Sequence, residues 1–363
     1  MRILLVRLRQ IGDVVFTTPA VAALRHAFPD AHLTYLVEPA AAPIVATNPH
    51  IDTVMVAPRV RGLSGTAADL ALGWRLRRAH YDLAIDFHGG PRASLLTRLS
   101  GATRRIGYHV VARHWMYTDV VERPRELRRR HSVENQWDLL TALGIPAPTP
   151  SDNPVEMALD PLAVAEVDAR LTRAGVAASD ALVVIHVSAS SPFRRWPLPS
   201  FVETVVALAS TDGRRIIVSS GPSEHEAVDR VVDDARRQLP QAMRNRVLSC
   251  GDFSLAELRA LLERSAAYIG GDSGPLHLAA TTRVPIVALF GPTPSERSAP
   301  WRDPLFASVL IEVDGLPCRP CDQRVCEPGD FRCLTRIESA RVVAATERVL
   351  TAPGPRRARS HDA

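Results

Sequence analysis

Lysine is absent from this 363-residue chain, so all 44 of its basic side chains are arginines. A Walker-type phosphate loop is thereby excluded, and no His-Glu-x-x-His pair is present for zincin chemistry. Aromatic residues make up only 5% of the chain, which argues against a surface that stacks nucleic-acid bases. No run of about 18 apolar residues occurs, which excludes a membrane-spanning helix. The apolar start, Ile3 to Val6, is interrupted by Arg7, Arg9 and Asp13, so no secretory signal is expected. Five cysteines in so long a chain do not make a disulfide framework, and the expected compartment is reducing cytoplasm.

What is present is ample core material: 46% of the residues are hydrophobic against 23% charged. At roughly 150 residues per domain, the length suggests about two domains with a site between them. The net charge is 44 − 39 = +5. It is concentrated between Arg92 and Arg130, where ten arginines (92, 98, 104, 105, 113, 123, 125, 128, 129 and 130) face three acids, Asp119, Glu122 and Glu126. Such a cluster suits either a solvated face or an anionic ligand or membrane surface.

The pattern is strand, loop, helix, repeated. Arg2 to Leu8 reads as a strand followed by a polar loop, Arg9 to Asp13. A helix with Thr18 as N-cap and Pro19 as first residue comes next. Further strands are expected at His32 to Val37, Thr53 to Ala57, Leu83 to Phe87 and Arg105 to His109, and a helix at Ser132 to Leu143 closed by Gly144. A Pro-rich passage then includes a helix near Ala163 to Ala174, and the domain boundary is placed at 178/179. The rhythm restarts with a strand at Ala181 to Val187, a loop at Ser188 to Pro197 and a helix capped by Ser200. Further on, strands at Arg215 to Ser219, Ala267 to Ile269 and Pro285 to Phe290 are expected, with capping boxes Ser223/Glu226 and Ser254/Glu257. The halves begin alike, which implies a duplicated nucleotide-fold layout over 1–178 and 179–350, with a disordered tail at 351–363.

Four loops could carry chemistry. Gly270-Gly271-Asp272-Ser273-Gly274-Pro275-Leu276-His277 permits a tight turn and close approach of a ligand; it suits either a diphosphate cradle or an ordinary strand-to-helix turn. Gly291-Pro292-Thr293 ends the next strand on the same sheet edge. In the loop from Ser188 to Trp196, the hydroxyls of Ser188 and Ser190 and the guanidinium of Arg194 can neutralise a phosphoryl leaving group, while Trp196 reads as packing. Asp13 reads either as a helix cap or as a general base. His88-Gly89-Gly90 has no Gly-x-Ser-x-Gly partner, and Gly12 lacks the spacing of a nicotinamide-binding turn. The spacing Cys-x2-Cys-x4-Cys-x6-Cys at Cys318, Cys321, Cys326 and Cys333 fits a thiolate zinc site, a redox-labile pair or local packing.

Together, Arg2-Ile-Leu-Leu-Val-Arg with Ile11-Gly12-Asp13 and Thr18-Pro19-Ala20, Tyr81 to Asp86 with Arg105-Ile106-Gly107-Tyr108, Arg194-Arg195-Trp196-Pro197, Gly270 to His277 and Leu289-Phe290-Gly291-Pro292-Thr293 resemble the family 9 glycosyltransferases, the ADP-heptose:lipopolysaccharide heptosyltransferases, from residue 2 to about 350. The resemblance implies an α/β, GT-B type fold of two Rossmann-like domains facing across a cleft, with the acceptor on the N-terminal half and the nucleotide sugar on the C-terminal half. It also implies an inverting transfer with no metal and no cofactor. Asp13 would be the catalytic base, and Arg194 would hold the diphosphate where relatives usually have lysine. Ser188, Ser190, Glu224, Asp272, Ser273, Gly274, His277, Gly291 and Thr293 would complete the donor site. The acceptor would be a lipid-anchored anionic saccharide met by Arg92, Arg98, Arg104, Arg105 and Arg113, which implies a cytoplasmic enzyme peripheral on the inner membrane face. The rivals are another GT-B transferase or a nucleotide-sugar epimerase and, from a different class, a non-enzymatic nucleic-acid-binding module.

Overall fold

The computed structural model describes residues 1–60, 62–122, 130–321 and 323–352. The chain divides into two compact units, Met1–Leu159 and Asp160–Ala363. In the first, β1 (Arg2–Val6), β2 (His32–Val37), β3 (Thr53–Val56), β4 (Leu83–Asp86), β5 (Arg104–Tyr108) and β6 (Asp119–Val121) form one parallel sheet in the order β3-β2-β1-β4-β5-β6. Near-continuous apolar runs such as Ile3-Leu4-Leu5-Val6 are what a parallel sheet covered on both faces requires. Leu4 and Val6, two residues apart, share a core with Leu72 and Leu76 of helix Leu63–Arg78 and Leu96 of helix Pro91–Leu99.

The second unit repeats the layout. Here β7 (Ala181–His186), β8 (Arg214–Ser219), β9 (Val247–Leu248), β10 (Ala267–Gly271), β11 (Ile286–Phe290) and β12 (Ser308–Glu312) are ordered β12-β11-β10-β7-β8-β9. Numbered within its own unit, each sheet reads 3-2-1-4-5-6, the doubly wound dinucleotide-fold order. Val183 and Ile185 pack with Val205 and Leu208 of helix Leu198–Ala209, Val231 and Val232 of helix His225–Gln238, and Val342 and Ala345 of helix Ser339–Thr351.

This order fixes where chemistry is expected. Strand order reverses between β1 and β4 in the first unit and between β7 and β10 in the second. Loops leaving the carboxyl ends of those strands diverge and leave a crevice. Asp13 and His88 follow β1 and β4; Arg194 and Asp272 follow β7 and β10.

The units divide at Leu159/Asp160, ahead of the boundary expected at 178/179. Helix Pro161–Arg173 belongs with the second unit because Arg170 donates to the Asp252 carbonyl at 2.6 Å and to Glu257 at 2.9 Å. Several local expectations need correction. The loop holding Asp13 contains a short helix, Ile11–Val15, and the next helix is capped by Thr17, one residue before the expected Thr18. Helix Leu198–Ala209 starts after Pro197, ahead of the expected cap Ser200. The expected Ser223/Glu226 box is replaced by Glu224 at the N-cap, whereas the Ser254/Glu257 box forms. Thr351 ends a helix, and residues 353–363 of the expected tail lie outside the described residues.

Candidate functional site

In the first unit, helix Ile11–Val15 presents Asp13 with its side chain 38% exposed. The carboxylate pairs with Arg7, whose guanidinium also donates to the Phe87 carbonyl at 2.5 Å. Arg7 thereby ties the loop after β1 to the loop after β4. Beneath them Asp86, fully buried, accepts from the His88 and Gly89 amides, both at 2.9 Å, and from the Tyr117 hydroxyl at 2.6 Å. Burial pushes the Asp86 carboxyl up, and the three donors oppose that shift. Gly107 is required here, since a Cβ on it would lie 2.3 Å from the Tyr117 ring. Burial, then the cations of Arg7 and Arg9, push the His88 imidazole down to about 4, so it is neutral at physiological pH beside Asp13.

The five arginines expected to meet an acceptor divide. Arg92 is committed to Asp69 and Glu38, with Glu38 Oε1 at 2.9 Å, and donates to the Pro58 carbonyl at 2.6 Å. Arg104 pairs with Asp119 at 2.8 Å and reaches the Ala142 carbonyl. Arg105 donates to the carbonyls of Met116 and Ala102. These three serve the unit's own architecture. Arg98 is exposed at the end of helix Pro91–Leu99, and Arg113 reaches the Gly89 carbonyl at 3.3 Å, beside His88. Of the rest of the basic stretch, residues 123, 125, 128 and 129 lie outside the described residues, and Arg130 is paired with Asp138.

In the second unit the loops after β7, β8, β10 and β11 meet. The Ser188 hydroxyl lies 3.0 Å from His186 Nε2 and accepts from the Gly221 amide at 2.8 Å, so it staples the loops after β7 and β8 together. His186, fully buried, also lies 3.1 Å from Ser219 Oγ, and burial pushes its imidazole down to about 4. Ser190 is exposed. Arg194 NH1 faces Asp272, 3.3 Å from Oδ2, and Arg194 Nε donates to Gln323 Oε1 at 2.8 Å. A Cβ at Gly271 would sit 3.1 Å from the Arg194 backbone carbonyl, tighter than ordinary contact, so the glycine eases the approach of these two loops. Asp272 is buried, with His277 Nε2 at 3.7 Å from its Oδ1. Glu224 pairs with Arg195 at 2.6 Å at the edge of the loop after β8. Ser273 stands at the N-cap position of helix Gly274–Ala280 without a side-chain cap bond, while Gly291 and Thr293 follow β11, with Thr293 bonded through its side chain to Gln323 at 3.3 Å. The donor residues named from sequence are therefore brought to one edge of one sheet.

The family model described as glycosyltransferase family 9 (heptosyltransferase) matches residues 70–329. The chain belongs to that family. Its relatives include lipopolysaccharide heptosyltransferase 3 of Escherichia coli K12, 27% identical over 359 residues that cover 96% of this chain and 98% of the relative. The crystal structure of a family 9 glycosyltransferase from Veillonella parvula superposes with a TM-score of 0.82 at 23% identity, covering 96% of this chain and 97% of that one. The E. coli ADP-heptose lipopolysaccharide heptosyltransferase II structure gives 0.77 at 19% identity, with 96% and 98% covered. The fold is that of these glycosyltransferases.

Three features of this family member escape sequence reading. Arg7 reads in the sequence only as a charge that interrupts the apolar start, yet it bridges two loops. The buried Asp86–Tyr117–Ser94 chain, with the two hydroxyls 2.7 Å apart, supports the His88 turn. Gln323 joins residues that are 129 and 30 positions away in sequence. The four cysteines line a cavity of about 310 Å3 with Phe193, Pro292 and Phe331, and none of them is in a disulfide. Burial and the neighbouring thiols push Cys333 up to about 11. Among the described residues no group of three or more His, Cys, Asp or Glu side chains is placed to hold a metal ion. No helix among them is long and apolar enough to cross a membrane.

Proposed function

We propose that this glycosyltransferase is an inverting enzyme that moves a heptose from ADP-heptose onto the inner core of lipopolysaccharide. The observation that carries the reading is the Arg194 guanidinium, held at the switch point of the second unit with its side chain 33% exposed, in a chain whose full-length relatives are lipopolysaccharide heptosyltransferases.

Asp13 is the base in this reading: its half-exposed carboxylate, oriented by Arg7, takes the proton of the acceptor hydroxyl. The freed oxygen forms the new bond to the anomeric carbon as the bond to the diphosphate breaks, and ADP departs. Inversion places the entering oxygen and the leaving group in line on opposite faces of the sugar. Arg194 neutralises charge developing on the diphosphate, with the loop Asp272 to His277, Ser190, Gly291 and Thr293 around it and Glu224 on the nucleoside side. Ser188 contributes by holding its loop, since its hydroxyl is already engaged. The proposal includes no metal and no cofactor. Arg98 and Arg113 are the basic residues offered to an anionic, lipid-anchored acceptor, and attachment to the inner face of the cytoplasmic membrane follows.

The test is incubation with ADP-heptose and a heptose-deficient lipopolysaccharide core. ADP release with a glycosylated product of inverted anomeric configuration supports the reading. Consumption of ADP-heptose without acceptor would instead point to an epimerase, and transfer from another nucleotide sugar to a different donor.

A further inference from the structure

The cysteine segment has no part in the chemistry above, yet one of its residues reaches into the donor loops. Gln323 lies between Cys321 and Cys326 with its backbone in the left-handed region, φ +59°. Arg194 Nε–H can only donate, so the carbonyl oxygen of the Gln323 amide must face it, at 2.8 Å. That orientation obliges the amide nitrogen to face the other way, where it donates to Thr293 Oγ1 at 3.3 Å. One side chain thus joins the loop after β7 to the loop after β11.

The segment is fastened to the same loops at other points. Arg319 donates to the Thr293 carbonyl at 3.1 Å and pairs with Glu312 at 2.6 Å. Phe331 meets Phe193 edge to face, with ring centroids 5.4 Å apart, immediately before Arg194. Cys318, Cys321, Cys326 and Cys333 line the cavity that Phe193 and Pro292, the residues just before Arg194 and Thr293, also line.

We infer that Gln323 is a positioning residue for donor binding, fixing the Arg194 guanidinium on its Nε edge while Asp272 faces NH1, so that the remaining edge is presented to the diphosphate. The inference rests on the reading that Arg194 binds the donor. It assigns the cysteine segment a role as a platform for the phosphate-binding arginine. A guanidinium held on two edges loses less freedom on binding than one free to rotate, so removing the amide weakens binding without removing the charge.

The test is a double-substitution cycle read by ADP affinity in calorimetry and by KM and kcat for the transfer. Gln323→Ala is expected to weaken ADP binding about tenfold, the scale of a lost hydrogen bond to a charged group, and to raise KM more than it lowers kcat. Gln323→Gly, which suits the left-handed backbone and also deletes the amide, should do the same. In an Arg194→Ala background either change should alter ADP affinity less than about twofold, because coupled residues are not additive. An equal loss in both backgrounds, or no loss where Arg194→Ala itself loses affinity, overturns the inference and leaves the donor reading standing. If Arg194→Ala binds ADP like the unsubstituted chain, both the donor reading and the inference fall.

Discussion

His186 shows how much one buried side chain governs in this family member. It sits at the end of β7, holding Ser188 on one side and Ser219 on the other, at 3.0 and 3.1 Å. Its imidazole titrates near 4 in the folded chain, against about 6.5 when unfolded. As pH falls from about 6.5 towards 4, the unfolded chain takes up a proton that the folded chain refuses, so stability falls with pH over that window. Between pH 7 and pH 5 the loss from this residue is about 2 kcal/mol. His186→Gln keeps a donor and an acceptor but does not titrate, so urea unfolding should show a smaller drop between those pH values. An unchanged drop would remove His186 as its source. Asp13 and Arg194 could be picked out from sequence because each follows a recognisable strand. Gln323 could not, because its role exists only once residues 129 positions apart are neighbours.

At the scale of elements, the fully buried strands are the most plainly legible in the sequence, although the partly exposed edge strand Thr53–Val56 is also expected from its β-branched residues. Ile3-Leu4-Leu5-Val6 and Ile286 to Phe290 are wholly buried, and an uninterrupted apolar run marks such strands. The edge strands Asp119–Val121 and Ser308–Glu312 were not foreseen, because partial exposure lets polar residues in and erases the run. The helix Ile11–Val15 is also hidden, since its five residues are too few to show a helical period and Gly12 reads as a turn. The expected boundary at 178/179 lies beyond the division of the compact units for a related reason: the Pro-rich passage looks like a linker, and the arginine bonds of helix Pro161–Arg173 leave no local mark. The turn after β4 offers a test at this scale. Gly107→Ala would drive a methyl group against Tyr117 and loosen its bond to Asp86. Unfolding by urea should show a loss of about 1–3 kcal/mol, and a loss near zero would mean that the ring can move freely.

For the whole molecule, the central finding is the same strand order in both units, each with its candidate site loops at the point where that order reverses. Duplication of a nucleotide fold gives two crevices, and the side chains that line them differ: a carboxylate and a neutral imidazole in the first, arginines and a glycine-lined turn in the second. That difference supports the proposal that the first unit takes the acceptor and the second the donor. The membrane proposal belongs to this scale too, because it rests on a charge excess and not on one contact. The protein should sediment with vesicles containing anionic lipid at low ionic strength and release as salt rises. Equal recovery in the supernatant with anionic and neutral vesicles would contradict it.

The most direct test of the account is Asp13→Asn, which keeps the shape of the side chain and removes its basicity. Transfer from ADP-heptose to lipopolysaccharide core should fall by about 10²–10⁴ in kcat, while ADP affinity stays within about twofold of the unsubstituted chain because the donor loops are untouched. Turnover that persists at the original rate would contradict it, since the oxygen would then be losing its proton to some other group.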